Sequence, residues 1–98
     1  MSIVFEKINT LIPFKTCVKE RDNTEFLIVS NEKGEIIYLN ETSKDFYKLC
    51  DGLKSVKDIY DELLTIYDVK KDELEQDLVV LIRDLQWNDI LSLRETAL

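Results

Sequence analysis

The sequence predicts an α+β domain in which strands come first and helices follow. Three observations carry this reading. Up to Leu39 the apolar residues alternate or come in short β-rich runs, whereas from Val56 they recur at helical spacing. Between the two, Leu39-Asn40-Glu41-Thr42-Ser43-Lys44-Asp45-Phe46-Tyr47-Lys48-Leu49-Cys50-Asp51-Gly52 stops an extended segment and opens and closes a short helix. Finally, 98 residues that are 45% hydrophobic and 34% charged, with one Pro and two Gly, fit one folded domain without room for a second core.

Taken in order, residues 1–13 have mixed polarity and end in Pro13, which reads as a loosely held N-terminal arm. Phe14 to Glu20 alternates, with Phe14, Thr16 and Val18 on one side and Lys15, Cys17 and Lys19 on the other, and predicts a strand. Arg21-Asp22-Asn23-Thr24 is turn-like. Phe26-Leu27-Ile28-Val29 predicts the next strand. Ser30-Asn31-Glu32-Lys33-Gly34 suits a hairpin with glycine at the left-handed position, and Glu35-Ile36-Ile37-Tyr38-Leu39 is the return strand.

Asn40 or Thr42 caps the first helix, because either side-chain oxygen accepts from amides that the first turn leaves unpaired. Thr42 with Asp45 reads as a capping-box variant, and Thr42, Phe46, Leu49 and Cys50 share a helical face. Gly52 ends this helix, since the residue past the last turn often needs positive φ. Ser55 and Asp58 repeat the box and open a second helix over about Val56 to Tyr67, with Val56, Ile59, Tyr60, Leu63 and Tyr67 on one face. A third opens at Asp72, where Asp72, Glu73 and Glu75 suit the positive end of the helix dipole. Its core stripe is Leu74, Leu78, Leu81 and Leu85. Val79, Ile82 and Gln86 lie to one side of that stripe and Val80 and Trp87 to the other, so either flank is covered by the rest of the fold or lines a groove for a partner. Ile90-Leu91-Ser92-Leu93 closes the domain as a short strand, and residues 94–98 are a tail.

Composition narrows the function. Thirteen Lys and Arg face 20 Asp and Glu, a net charge of −7, and the only adjacent basic pair is Lys70-Lys71. A phosphate-binding surface needs clustered cations, so nucleic acid is not the expected partner. There is no histidine, Cys17 and Cys50 lack metal-ligand or disulfide spacing, and no phosphate-binding or nucleophile-elbow motif occurs. The expectation is a non-enzyme without catalytic residue, metal or cofactor. No apolar run approaches the ~20 residues of a membrane span. The N-terminus lacks a signal-peptide pattern, which points to a soluble cytoplasmic protein with reduced cysteines.

Leu39-Asn40-Glu41-Thr42 through Leu49-Cys50-Asp51-Gly52, followed by Ser55-Val56-Lys57-Asp58-Ile59, resembles the PqqD-like family: an asparagine-capped helix ending in Leu-Cys-Asp-Gly, then a Ser-Val-x-x-Ile helix start. Asp77-Leu78-x-x-Leu81-Ile82-x-x-Leu85 is similar to the family's third-helix signature. Asn88-Asp89-Ile90-Leu91 departs from it where the family often has a glycine, which leaves the end of that helix open. The resemblance covers roughly residues 14–93. It implies a three-stranded antiparallel sheet packed on three helices, winged helix-turn-helix-like. It also implies a recognition element that binds the leader of a ribosomally made precursor peptide by β-strand addition and presents it to a modifying enzyme, often a radical SAM protein. Carried onto this chain, the receiving strand is Glu35, Ile36, Ile37, Tyr38 and Leu39, and the cleft wall is Val79, Ile82, Arg83 and Gln86, with Arg83 placed to meet an acidic leader residue. The composition favours a modified-peptide pathway over the quinone pathway that named the family. The alternatives are a winged-helix DNA-binding regulator, which the acidic third helix opposes, and an obligate enzyme subunit without peptide contact of its own.

Overall fold

In the computed structural model, residues 3–96 are described. Met1 and Ser2 of the expected arm and Ala97 and Leu98 of the expected tail lie outside them. The elements run α1 (Ile3–Ile8), β1 (Ile12–Lys15), β2 (Lys19–Asp22), β3 (Leu27–Ser30), β4 (Ile36–Leu39), α2 (Glu41–Leu49), α3 (Val56–Ile66), α4 (Lys71–Trp87) and β5 (Leu91–Arg94). The fold is α+β, with the antiparallel sheet β2-β3-β4 backed by helices.

Three departures from the sequence reading concern the N-terminal third. Residues 3–8, expected as part of a loose arm, form a helix whose Phe5 is buried and packs its ring 5.0 Å from that of Tyr60. The single strand expected over Phe14 to Glu20 is two strands in two sheets. Thr16 N–H donates to the Ile90 carbonyl while Val18 N–H donates to that of Ser30, so the chain crosses from one sheet to the other within three residues. β1 pairs antiparallel with β5, giving the closing strand a partner that periodicity could not name. Arg94, expected in the tail, is in β5 with its guanidinium 3.8 Å from the centre of the Phe14 ring.

The helical half follows local chemistry. Asn40 is the α2 cap, its side chain accepting from Ser43 N–H at 3.0 Å. Ser55 and Asp58 form a reciprocal capping box at α3. Between the helices Asp51 Oδ1 accepts from the N–H groups of Leu53 and Lys54 at 2.9 and 3.0 Å, which holds its carboxyl below the usual carboxylate range. Gly52 then takes φ +81°.

Phe46 and Tyr47 of α2, Val56, Ile59 and Leu63 of α3, and Leu74, Leu78, Ile82 and Leu85 of α4 are buried with Leu27, Val29 and Leu39 of the sheet. The buried Tyr47 hydroxyl donates to the Ile90 carbonyl at 2.8 Å, joining α2 to the entry of β5. At the end of α4 the family's glycine position is taken by Asp89, at φ +56°. Its N–H donates to Gln86 and that of Ile90 to Leu85, the double bond pattern of a glycine-type helix stop. Aspartate tolerates this conformation better than most side chains, which explains how the chain dispenses with glycine here.

A β-carbon at Gly52 would meet Phe14 Cβ at 3.7 Å, an ordinary contact, so the penalty for replacing it is conformational. Gly52→Val is expected to destabilise by roughly 1–3 kcal/mol, lowering Tm by about 5–20 °C. An unchanged melting curve by circular dichroism contradicts this placement of the turn.

Candidate functional site

The sheet has two edges of opposite character. β2 is Lys19-Glu20-Arg21-Asp22, exposed throughout, and charged edges discourage a further strand. β4 is Ile36-Ile37-Tyr38-Leu39, with no charge and no proline, and among the described residues it pairs only with β3.

Register decides which groups this edge offers. Asn31 N–H donates to the Glu35 carbonyl at 3.2 Å, so these two residues form a hydrogen-bonded pair. Such pairs alternate along an antiparallel ladder, which makes Val29 with Ile37 and Leu27 with Leu39 the next ones. Ile36 and Tyr38 sit between them, with their N–H and C=O turned away from β3. The same alternation sends the Ile37 and Leu39 side chains inward, Leu39 being buried and Ile37 half-buried, and leaves Ile36 and Tyr38 62% and 66% exposed.

The hairpin that leads into β4 and the end of α4 come together around a cleft. The main backbone neighbours of β4 are β3 and α2, and those of α4 are α3, α1 and β5. Where the hairpin meets the end of α4, a hollow of about 410 Å³ is lined by Lys33, Glu35, Gln86, Trp87, Asn88 and Asp89. Asn31 ties two of its lining residues, Glu35 and Asn88, together. Buried to 3% exposure, its Nδ2 donates to the Asn88 carbonyl at 2.8 Å and to Glu35 Oε1 at 3.0 Å. Its Oδ1 accepts from the N–H groups of Lys33 and Glu35 at 3.0 and 3.1 Å. Lys33 adds an ion pair to Asp89 at 3.1 Å.

Of the residues expected at the site, Glu35 and Gln86 line this one hollow. Val79, Arg83 and Gln86 recur at helical spacing on one side of α4, Val79 partly buried and the other two exposed. Ile82 is corrected. At 1% exposure it belongs to the core, and Leu81, expected there, is only partly buried. The buried stripe is rotated toward Ile82, and Glu75, two turns before it, is buried on the same side. The sequence reading missed Asn31, which looked like an ordinary turn residue, and set Trp87 on the far flank. Trp87 is 85% exposed and stands at the mouth of the hollow, an aromatic side chain that folding alone leaves uncovered.

Cys50 lacks the setting of a nucleophile. Burial pushes the Cys50 thiol up to about 12, and its Sγ contacts the Phe46 carbonyl at 3.3 Å. Cys17 is partly exposed. Among the described residues no group of histidine, cysteine or acidic side chains is arranged to hold a metal ion.

Two outcomes test this geometry. Asn31→Ala strands the Asn88 carbonyl and two amides, and at about 1 kcal/mol per net hydrogen bond it is expected to lose roughly 2–3 kcal/mol, measured by urea denaturation. At pH 8 a thiol-specific reagent is expected to titrate one cysteine quickly in the native protein and two after denaturation. Fast reaction of both in the native state contradicts the burial of Cys50.

Residues 25–91 match the family described as coenzyme PQQ synthesis protein D (PqqD). No curated protein and no solved structure gives a significant match. The matched segment runs from the hairpin through α4 to the first residue of β5, so it takes in the open edge, the cleft and the corner between α2 and α3. On a match covering about two thirds of its length, the chain belongs to this family, named for coenzyme PQQ synthesis.

Proposed function

We propose that the protein is a non-catalytic recognition module that binds the leader of a ribosomally synthesised precursor peptide by strand addition to β4 and presents it to a modifying enzyme of the radical SAM class. The carrying observation is the contrast between the two edges of one sheet. Four charged residues guard β2, whereas β4 is left apolar, unpaired and beside a cleft. An edge with free amides and carbonyls next to a helix is the arrangement that captures an extended peptide.

Magnitudes decide what such a site needs. Ile36 and Tyr38 offer four main-chain groups, and at about 0.5–1.5 kcal/mol net each these contribute roughly 2–6 kcal/mol. Micromolar binding needs about 8 kcal/mol. Side chains must supply the remainder, from the Ile37 row, the Val79, Arg83 and Gln86 side of α4, and the exposed Trp87. An ion pair from Arg83 to an acidic leader residue adds at most about 1 kcal/mol at such an exposed position.

The DNA-binding alternative finds less support. α4, the helix such a protein would lay in the major groove, exposes Glu73, Asp77 and Asp84 around Arg83, and phosphates repel that surface. Among the described residues no helix is long and apolar enough to cross a membrane, which is compatible with a cytoplasmic pathway.

Two proline variants separate peptide binding from folding. Ile36→Pro removes an amide that faces away from β3 at the first residue of an edge strand, where proline is tolerated, so the fold is expected to survive while leader binding falls at least tenfold. Ile37→Pro removes an amide that faces β3 and is expected to unfold the hairpin. The measurement is an amide-resolved NMR titration with leader peptides encoded beside this chain. Leaders that leave residues 35–39 and 79–86 unperturbed in the native protein rule the proposal out.

A further inference from the structure

The outer face of the sheet is the largest feature that this reading leaves without a task. Its outward positions form two cross-strand rows, Lys19–Ser30–Ile36 and Arg21–Ile28–Tyr38. Each row begins with a cation on β2 and ends with a large exposed apolar side chain on β4. Together with Glu20 and Val29 they line a shallow hollow of about 490 Å³. Phe26 extends its apolar side, with its ring 5.7 Å from that of Tyr38. In a chain of net charge −7, these six positions carry two cations and no carboxylate. Among the described residues neither Lys19 nor Arg21 is ion-paired.

Strand geometry joins this face to the open edge. The residues whose N–H and C=O point away from β3 are the same two, Ile36 and Tyr38, whose side chains are exposed on the outer face. A strand added to β4 lies about 4.8 Å away and sends alternate side chains to each face. Those level with Ile36 and Tyr38 land beside them, at cross-strand distances of about 5 Å.

We infer that the peptide is read on the outer face as well as in the cleft, and that it carries two large apolar or aromatic side chains, two residues apart, level with Ile36 and Tyr38, with acidic rather than basic residues next to them. This rests on strand addition at β4 and adds a sequence rule to it. An extended peptide is the occupant that satisfies the free main-chain groups and the exposed side chains together. A second copy presented face to face would set Lys19 and Arg21 against the same two cations and leave the main-chain groups of β4 unmet. An anionic membrane or a nucleic acid is repelled by the rest of the chain. The acidic preference follows from the two cations, which lie three strand spacings, about 14 Å, from the added strand, within the Debye length at low salt and beyond it at physiological salt.

Synthetic eleven-residue peptides test the rule, sharing one cleft-facing row and differing in the outward row, which is Val and Phe flanked by Glu, Ser and Ser flanked by Glu, or Val and Phe flanked by Lys. Affinity is read by fluorescence anisotropy, and the site by amide shifts in the full-length labelled protein. The Val/Phe peptide with Glu is expected to bind roughly tenfold more tightly than the Ser/Ser peptide, as two cross-strand pairs suggest, and several-fold more tightly than its Lys counterpart at low salt. The first difference is expected to disappear in the folded double variant Ile36→Ser/Tyr38→Ser. Equal affinities, with shifts at Ile36 and Tyr38 for every peptide, overturn the outer-face rule and leave strand addition standing. If neither these peptides nor the encoded leaders shift those amides, strand addition itself falls. A concentration-dependent doubling of mass that blocks the shifts assigns the edge to a second copy and overturns the rule.

Discussion

Asn31 sets the distance between the two walls of the cleft. A hairpin tip has no intrinsic reason to touch the end of a helix 57 residues later, and a free tip would swing. The buried carboxamide joins them by donating to the Asn88 carbonyl, one of those the end of α4 leaves over, while accepting from the amides of Lys33 and Glu35 that shape the turn. Each bond is worth about 1 kcal/mol, but together they fix β4 against α4 at one end. The Lys33–Asp89 pair sits outside this lock and, being exposed, adds little. Asp89 matters more through its backbone, whose left-handed turn stops the helix and sends the chain into β5.

The residues that make the family recognisable are not those that form the open edge. Cys50, Asp51, Gly52, Ser55 and Asp58 build the corner between α2 and α3, where the thiol is buried. Asp51 caps the turn, Gly52 takes the positive φ, and the Ser55–Asp58 box starts the next helix. Such a corner has few chemical solutions, so it leaves a readable trace. The edge and cleft do not. A strand that accepts a partner through its backbone constrains its own side chains loosely, and its specificity is free to change with the peptide.

This difference governs what was legible in the sequence. Caps and glycine turns act within four residues, and the Ser55 box, Gly34 and Gly52 read directly, while the α2 cap was narrowed to Asn40 or Thr42 and is Asn40. The β3–β4 hairpin and the three main helices followed from periodicity. The sheet crossing at Thr16–Val18 did not, because the Ile90 and Ser30 carbonyls that divide the strand lie far along the chain or in a neighbouring strand. Neither did α1, whose buried Phe5 meets a ring 55 positions later. On α4 the stripe was off by one position at Ile82 because a buried glutamate, Glu75, is invisible to a pattern that sorts residues by polarity.

An unguarded strand edge is a hazard as well as a site, and the chain limits the hazard without closing the edge. β4 is only four residues long, so few main-chain groups are offered at once. Two copies meeting edge to edge would bring together two chains of charge −7, a repulsion that a short peptide lacks. The hollow at the end of β4 holds Glu35 and Trp87, and a second copy would have to fit its own Glu35 and Trp87 around the same two-fold axis. A lone extended segment carries neither burden. Length, charge and the bulk at the cleft mouth thus favour a slender peptide over another folded copy, while the main-chain groups that hold either remain the same.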